Sequence, residues 1–584
     1  MSQIYSHIKE IISNSASISL NLDRRILDEI DFSIEKPNDE KNGEISSNIS
    51  LIVQKLLSEN PIDIANKIIL ELKKCSEFIK VDVAKPGFIN LWLDSSMWQS
   101  YLKNSLELDD LIDCNIGNGR TVNVEYVSAN PTGPLHIGHC RGAVFGDVLS
   151  NLLQKTGHRV TKEYYINDAG SQVDVLAQSA LLRMREALGD DIGEIPAGLY
   201  PGDYLKPVGA ALAEQHGRGL LEASEDAQVN TAKAAALPMM MEMIRQDLKV
   251  LGIEHKYFLS EQSLHDDGSV DAAFATLDKA GLVYHGVLEP PKGKEPPADW
   301  EATPQWLFKS SEFGDDSDRA LRKSDGAWTY FAPDIACHFN RFRRGFHKMI
   351  DVWGADHIGY IKRMQSAVTA ITEGQGALEV KVCNLVKLQR GGEPVKMSKR
   401  SGDFVTLREV VDEVGKDVVR FIMLTRKNDA PLDFDFDLVK EKSRDNPVFY
   451  VQYAHARICS VLRNAEQAGI DAAALSDTAL AAADLSHLQD PAELGLIRAL
   501  ANYPRMLASA AEAREPHRVA FYLQELAAQF HALWNLGKER KHLRFIQDDE
   551  EAANLARLAL IRATAVTLAC GLDVIGVEPE VEMR

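Results

Sequence analysis

Thr121-Val-Asn-Val-Glu-Tyr-Val-Ser-Ala-Asn-Pro-Thr-Gly-Pro-Leu-His-Ile-Gly-His139 is the stretch from which the fold can be read. Its first seven residues, to Val127, make a strand-like run rich in β-branched side chains. A loop with Pro131, Gly133 and Pro134 follows. Beyond it Val144, Val148 and Leu152, and beside them Phe145, Leu149 and Leu153, recur every fourth residue. That is the apolar stripe of a helix, and Gly157 fits its stop. Arg159 to Ile166 reads as a second strand. Strand, loop, helix and strand within residues 121–166 make the repeating unit of a doubly wound, Rossmann-like parallel α/β sheet.

Outward from this unit, residues from about 170 to 305 carry helical stretches and a loop, Pro290 to Pro297, and read as an insertion splitting the sheet. The sheet is expected to resume near Trp306. Ser324-Asp-Gly326 suggests a hairpin between Arg319–Arg322 and Trp328–Phe331, and Met349–Trp353 and Val380–Leu388 are further strand candidates. From about residue 440 the periodicity is helical. Asn446-Pro447 suits a helix start, and Tyr450, Ala454 and Ile458 share a face, so residues 441–584 read as an all-α bundle. Residues 1–115 are rich in Ile, Asn, Ser and Lys, and Phe78–Val83 and Phe88–Leu93 alternate around Lys85-Pro-Gly87 like a hairpin. The expected organisation is an N-terminal α+β domain over 1–115, the α/β domain over 116–440 and the helical domain over 441–584.

Hydrophobic residues are 45% and charged residues 26% of the 584, which suits a folded globular chain. No apolar run is expected to reach the ~18 residues of a membrane span, and MSQIYSHIKEI lacks a secretion signal. Seven scattered cysteines without a CxxC pair argue against a structural zinc and for a reducing cytoplasm. The net charge of −20 taken alone disfavours a nucleic-acid partner. It is a global sum, however, and binding faces are local. Two basic clusters, Asn340–Lys348 and Lys538–Arg544, stand out, and the ordinary reading of each is a solvated helix face.

The chemistry gathers in two places. His136-Ile-Gly-His139 sits where the loop enters the first helix. A helix N-terminus carries unpaired N–H groups and partial positive charge, and so attracts phosphate. Both imidazoles lie on one face and can donate to a triphosphate, and Gly138 lets a flat base approach the backbone. The second place is Lys396-Met-Ser-Lys399, followed by Arg400. It lies between the flexible Arg390-Gly-Gly-Glu-Pro394 and a capping box, Thr406-Leu-Arg-Glu409, that opens an apolar helix. A cationic loop so placed can neutralise charge developing on a leaving pyrophosphate.

As a pair, the two stretches resemble the HIGH and KMSKS signatures of class I aminoacyl-tRNA synthetases, with Arg400 departing from the usual Ser. Val124 to Arg141 closely resembles the arginyl-tRNA synthetase form of the first signature. Tyr330-Phe-Ala-Pro-Asp-Ile-Ala336 resembles that family's arginine-binding segment, and Asn446 to Arg457 the start of its anticodon-binding domain. Residues 40–90 are similar to the N-terminal domain that contacts the tRNA elbow. The resemblance implies an ATP-dependent ligase that forms arginyl-adenylate and transfers arginine to the 3′-terminal adenosine of tRNA. His136, His139, Lys396 and Lys399 would be catalytic. Pro131, Thr132, Gly133, Pro134, Leu135, His136, Ile137, Gly138, His139, Met397 and Ser398 would bind ATP.

Glu125, Asn130, Tyr330, Asp334, Asp356 and His357 would bind arginine, since a guanidinium favours planar carboxylate acceptors. Glu125 reads equally as a structural strand residue. Mg²⁺ would accompany ATP, with no structural metal. The partners would be arginine and its tRNAs, the chain a cytoplasmic monomer without a membrane, and tRNA would be needed before arginine is activated. Tyr450, Tyr453 and Trp534 with Lys538 are candidates for stacking on anticodon bases, although a Tyr at helical spacing is more often core. Beside specificity for another amino acid within class I, a cofactor-precursor nucleotidyltransferase and a non-catalytic tRNA-binding relative are the rival readings. The nucleotidyltransferase lacks so large a helical tail, and the non-catalytic relative would have lost the histidines or lysines.

Overall fold

A computed structural model describes residues 3–37, 39–107, 114–288, 303–395, 405–548 and 550–583. At its centre is a five-stranded, fully parallel sheet. From one edge its strands are Ala377–Cys383, Lys348–Gly354, Thr121–Glu125, Arg159–Ile166 and Tyr257–Ser260. The chain therefore starts in the middle, builds outward to one edge, and returns to build the other. The strand order reverses between Thr121–Glu125 and Lys348–Gly354. In such sheets ligands bind in the crevice at the carboxyl ends of the strands, at that reversal. Ile137–Lys155 is the first crossover helix. Gly146 lets it pack close, because a Cβ there would stand 2.3 Å from the ring of Tyr126. Gly157, at φ +88°, turns the chain into the second strand.

The sheet comes back earlier than the sequence reading expects, at Tyr257–Ser260 rather than near Trp306. The insertion proper is the helical unit Ser171–Ala187, Lys206–His216 and Glu225–Val250, which has its own apolar core. Four residues of strand are too short to announce themselves by periodicity beside these long helices. Gln305–Phe308 belongs instead to a separate antiparallel sheet with Val283–Gly286 and Arg319–Arg322. The expected hairpin is also displaced. Arg319–Arg322 pairs with Gln305–Phe308, Trp328 adds a single bridge to Arg322, and Phe331 already begins the helix Phe331–Arg343. The Pro290–Pro297 loop lies outside the described residues. Val380–Leu388 splits into the end of one central strand and the start of Val386–Arg390, which pairs in parallel with Leu432–Asp435.

The N-terminal unit is a four-stranded antiparallel sheet packed on helices, with the expected hairpin Phe78–Ala84 and Phe88–Leu93. The helix Ser95–Glu107 leads from it to the C-terminal bundle. Gln99 donates to the carbonyl of Leu488 at 3.0 Å, Tyr101 to that of Leu500 at 3.2 Å, and Arg498 pairs with Glu44. The bundle comprises Pro447–Gln467, Pro491–Ala501, Tyr503–Ala513, His517–Glu539 and Glu551–Ile575. Asn446 caps the first of these, as its sequence suggests.

One expectation is corrected here: Glu551–Ile575 is long and apolar enough to cross a membrane by length and composition. It is instead the central helix of the bundle, with 72% of its most apolar window buried. Its two arginines are paired, Arg557 with Glu493 and Arg562 with Asp477. None of the seven cysteines is in a disulfide.

Candidate active site

His136 is the N-cap of Ile137–Lys155, and with His139 it forms a capping box. Its Nδ1 accepts the backbone N–H of Gly138 at 3.0 Å. Its own N–H donates to Nδ1 of His139 at 3.3 Å. The two rings stack with centroids 3.9 Å apart. A neutral imidazole that accepts at Nδ1 must carry its proton on Nε2. The helix start therefore fixes both tautomers and makes both rings donors at the far nitrogen. Gly138 is required by space, since a Cβ would meet Cε1 of His136 at 2.7 Å.

Lys396, Met397, Ser398 and Lys399 lie outside the described residues. The chain that leaves that segment does not, and it is joined to the first signature. The N–H of Leu407 donates to the carbonyl of Leu135 at 2.8 Å, and that of Ile137 to the carbonyl of Val405 at 3.3 Å. His136 and Thr406 form an antiparallel bridge. Thr406 and Glu409 make the anticipated capping box, which fixes the start of Leu407–Val414. On the near side, the N–H of Val395 donates to the carbonyl of Leu388 at 3.0 Å.

The carboxyl edge of the sheet supplies the remaining groups. After Glu125 the chain turns through two left-handed residues, Val127 at φ 72° and Ser128 at φ 39°. A β-branched residue rarely adopts that conformation. The turn carries Asn130, whose amide donates to Gln172 at 2.7 Å, across the strand ends. From the Lys348–Gly354 strand, on the other side of the reversal, come the exposed Asp356 and His357, 3.5 Å apart.

Asp334 does not sit just past a strand, as the sequence suggests. It is in the first turn of Phe331–Arg343, where it accepts the Tyr360 hydroxyl at 2.6 Å. Burial pushes its carboxyl above the ordinary range in spite of that bond. Tyr330 precedes the helix and is 68% exposed. Two groups absent from the sequence reading join them. Glu261 follows the last strand of one sheet half, and burial, with Asp334 adding repulsion, pushes it up to about 7. Tyr165 is half-buried, with its hydroxyl out of solvent near Asp334, Glu261 and Glu125. A carboxylate at the carboxyl end of a sheet strand was the signal that could have found Glu261.

Beneath this pocket lies a buried ion network. Arg341 is fully buried and pairs with Glu163 at 2.7 Å, with Asp351 at 3.2 Å and with Glu125. His338 bonds Asp351 at 2.9 Å. Burial works against the proton on His338, but the Asp351 carboxylate prevails and raises its pKa. Burial opposes ionisation of Glu163, yet Arg341 and Arg344 prevail and lower it. At Glu125 burial wins over Arg341, and the carboxyl is pushed upward. The structure therefore sets Glu125 and Asp334 near Tyr165, with Glu125 on Arg341, while His136 and His139 stand at the start of the helix that follows the Thr121–Glu125 strand. The Asn340–Lys348 cluster is not a uniformly solvated face, because its Arg341 is internal.

Three family models match this chain. "Arginyl tRNA synthetase N terminal domain" covers residues 2–93, "tRNA synthetases class I (R), catalytic domain" 101–191, and "DALR anticodon binding domain" 451–583. The chain is 59% identical over 560 residues to the arginine–tRNA ligase of Parvibaculum lavamentivorans, which spans 96% of this chain and 95% of that one. The chain belongs to the arginyl-tRNA synthetase family. The arginine–tRNA ligase of Nitrobacter winogradskyi is 56% identical over 558 residues, 94% of this chain and 93% of the other. The structure of Thermus thermophilus arginyl-tRNA synthetase, 20% identical, shares the fold with a TM-score of 0.72 over 99% of this chain and all of that one. In this synthetase the three matches fall on the antiparallel N-terminal unit, the first βαβ unit with His136 and His139, and the helical bundle.

Proposed function

We propose how the residues of this arginine–tRNA ligase divide its reaction. The enzyme activates arginine with ATP and joins it to tRNA. The Nε2–H groups of His136 and His139, at a helix N-terminus, hold the triphosphate. The carboxylate of arginine attacks the α-phosphorus, and pyrophosphate leaves with its charge met by Lys396 and Lys399. Mg²⁺ belongs to the substrate as its nucleotide complex and shields the phosphate oxygens. Asp334, Glu261 and Tyr330 face the guanidinium, with Glu125 beneath them tied to Arg341. Asn130, Asp356 and His357 take the α-amino and carboxylate end, with the backbone and side chains of Pro131, Thr132, Gly133, Pro134, Leu135, Ile137 and Gly138, and Met397 and Ser398, around the nucleotide.

The 2′-hydroxyl of the tRNA's terminal adenosine then attacks the arginyl carbonyl carbon, and AMP leaves. No covalent enzyme intermediate forms, so catalysis is positioning and electrostatics. Residues 1–115 meet the tRNA elbow, residues 441–584 the anticodon stem-loop, and the enzyme works as a cytoplasmic monomer without a membrane.

The observation that supports this reading is the bonding of residues 405–407, where the chain leaves the lysine segment, to residues 135–137 at the start of the helix that carries the two imidazoles. The position of the carboxyls supports it as well: pockets holding raised, partly uncompensated carboxyls suit a permanent cation. The test is Lys399→Ala. It should cut arginine-dependent pyrophosphate exchange by about 10²-fold or more, as loss of a charge-stabilising group does, and leave arginine binding by calorimetry nearly unchanged. Retained exchange would remove Lys399 from its role.

A further inference from the structure

The helical insertion meets both the start of the first signature's helix and the helix that follows the lysine segment. Asp247 lies near the end of Glu225–Val250, is 2% exposed, and bonds both. Its Oδ2 accepts the backbone N–H of Leu135, the residue before His136, at 3.1 Å. Its Oδ1 accepts Arg408, in the first turn of the helix after the lysine loop, from Nε at 3.2 Å and from Nη2 at 3.1 Å. One carboxylate thus takes one oxygen to the residue before His136 and the other to the helix that follows the lysine segment. Around it, Met241, Ile244 and Leu248 of the insertion pack in the same core as Leu135, Leu407, Val410 and Val411.

The backbone bonds between 135–137 and 405–407 hold the two strands of chain together edge to edge. The Leu407–Val414 helix is held besides by its apolar side chains in the core and, at its far end, by Glu413 paired with Arg390 and Lys440. The charge-assisted pair at Arg408 holds its first turn, the end next to the lysine segment, with the directionality of a guanidinium. We infer that Asp247 is a positioning residue for adenylate formation: with Arg408 it holds the start of the Leu407–Val414 helix, which follows the lysine segment, against the helix start that carries His136 and His139. The proposal rests on the ligase reading above, and it gives the insertion a part in the first chemical step.

The test is a double-mutant cycle in arginine-dependent pyrophosphate exchange, run on the full chain with tRNA present. Asp247→Asn keeps an oxygen for the Leu135 N–H and loses the pair with Arg408. Arg408→Gln loses the same pair from the other side. Each should lower kcat by about tenfold or more, as small misplacements of a catalytic group do, with the KM for arginine unchanged within about twofold. The double variant should be no worse than either single one, because both remove one interaction. Arg408→Lys, which keeps the charge but not the planar fork, should recover only part of the rate lost in Arg408→Gln.

Losses that multiply in the double variant, or an unchanged kcat in Asp247→Asn, would overturn the proposal. So would a fall in arginine affinity matching the fall in kcat. Should Asp247→Asn fail to fold, Arg408→Gln against Arg408→Lys decides the matter alone, since Arg408 is half exposed. If Lys399→Ala leaves exchange intact while these variants impair it, the ligase reading of the loop fails and the coupling through Asp247 stands.

Discussion

Replacing Arg341 with Met would leave three carboxylates buried without their shared cation. Arg341 is fully buried and contacts Glu163 at 2.7 Å, Asp351 at 3.2 Å and Glu125. Removing one partner of a buried ion pair costs about 3–5 kcal/mol, because the charge left behind is uncompensated. The loss should depend on pH with a definite sign. In the native chain Glu163 and Asp351 titrate below the ordinary carboxylate range, despite burial, because of Arg341 and its neighbours. Their contribution is therefore present above the unfolded carboxyl value of about 4 and is lost as pH falls through the lower folded values.

In Arg341→Met the same carboxyls are buried without the cation, so their folded values rise and the variant loses stability as pH rises. Urea unfolding followed by tryptophan fluorescence should show a deficit of about 3–5 kcal/mol at neutral pH that narrows as the solution approaches pH 5. A deficit below about 1 kcal/mol, or one equal at both pH values, would refute the network's role. The variant should also leave the salt dependence of tRNA binding unchanged, whereas loss of a phosphate contact lowers that slope by about 1.

Other outcomes follow from the pocket and the helix start. Glu261, raised to about 7 by burial and by Asp334, should become protonated as pH falls through that value. The KM for arginine should then rise below pH 7, and Glu261→Gln should flatten that limb; a limb that survives the substitution assigns it elsewhere. Gly138→Ala would drive a methyl to 2.7 Å from the His136 ring. It should lower kcat/KM for ATP about tenfold through displacement of that imidazole, with little change in the urea midpoint. Pyrophosphate exchange with arginine should require tRNA, and full exchange without it would reject that expectation.

The parts of the molecule legible in the sequence are those whose signal is local. The first βαβ unit, the capping box at Thr406, the Asn446 N-cap before Pro447 and the Lys85-Pro-Gly87 hairpin all carry turn and cap chemistry on neighbouring residues. His136 and His139 were readable because a helix start dictates both their face and their tautomer. The short strand Tyr257–Ser260 was not, because only its partner Arg159–Ile166 makes it a strand. Glu261 and Tyr165 become a pocket only when two sheet strands stand side by side. Arg341 looked like part of a solvated basic run, since nothing in Asn340–Lys348 says which way one guanidinium points. Glu551–Ile575 hides behind its two arginines, whose carboxylate partners lie in distant helices.

The most direct measurement is a structure of the enzyme with a non-hydrolysable ATP analogue, arginine and tRNA bound. The account predicts the Nε2 atoms of His136 and His139 and the Nζ atom of Lys399 within hydrogen-bond reach, about 3 Å, of the same triphosphate. A nucleotide seated on the imidazoles while Lys399 points to solvent on another face of the molecule would contradict it.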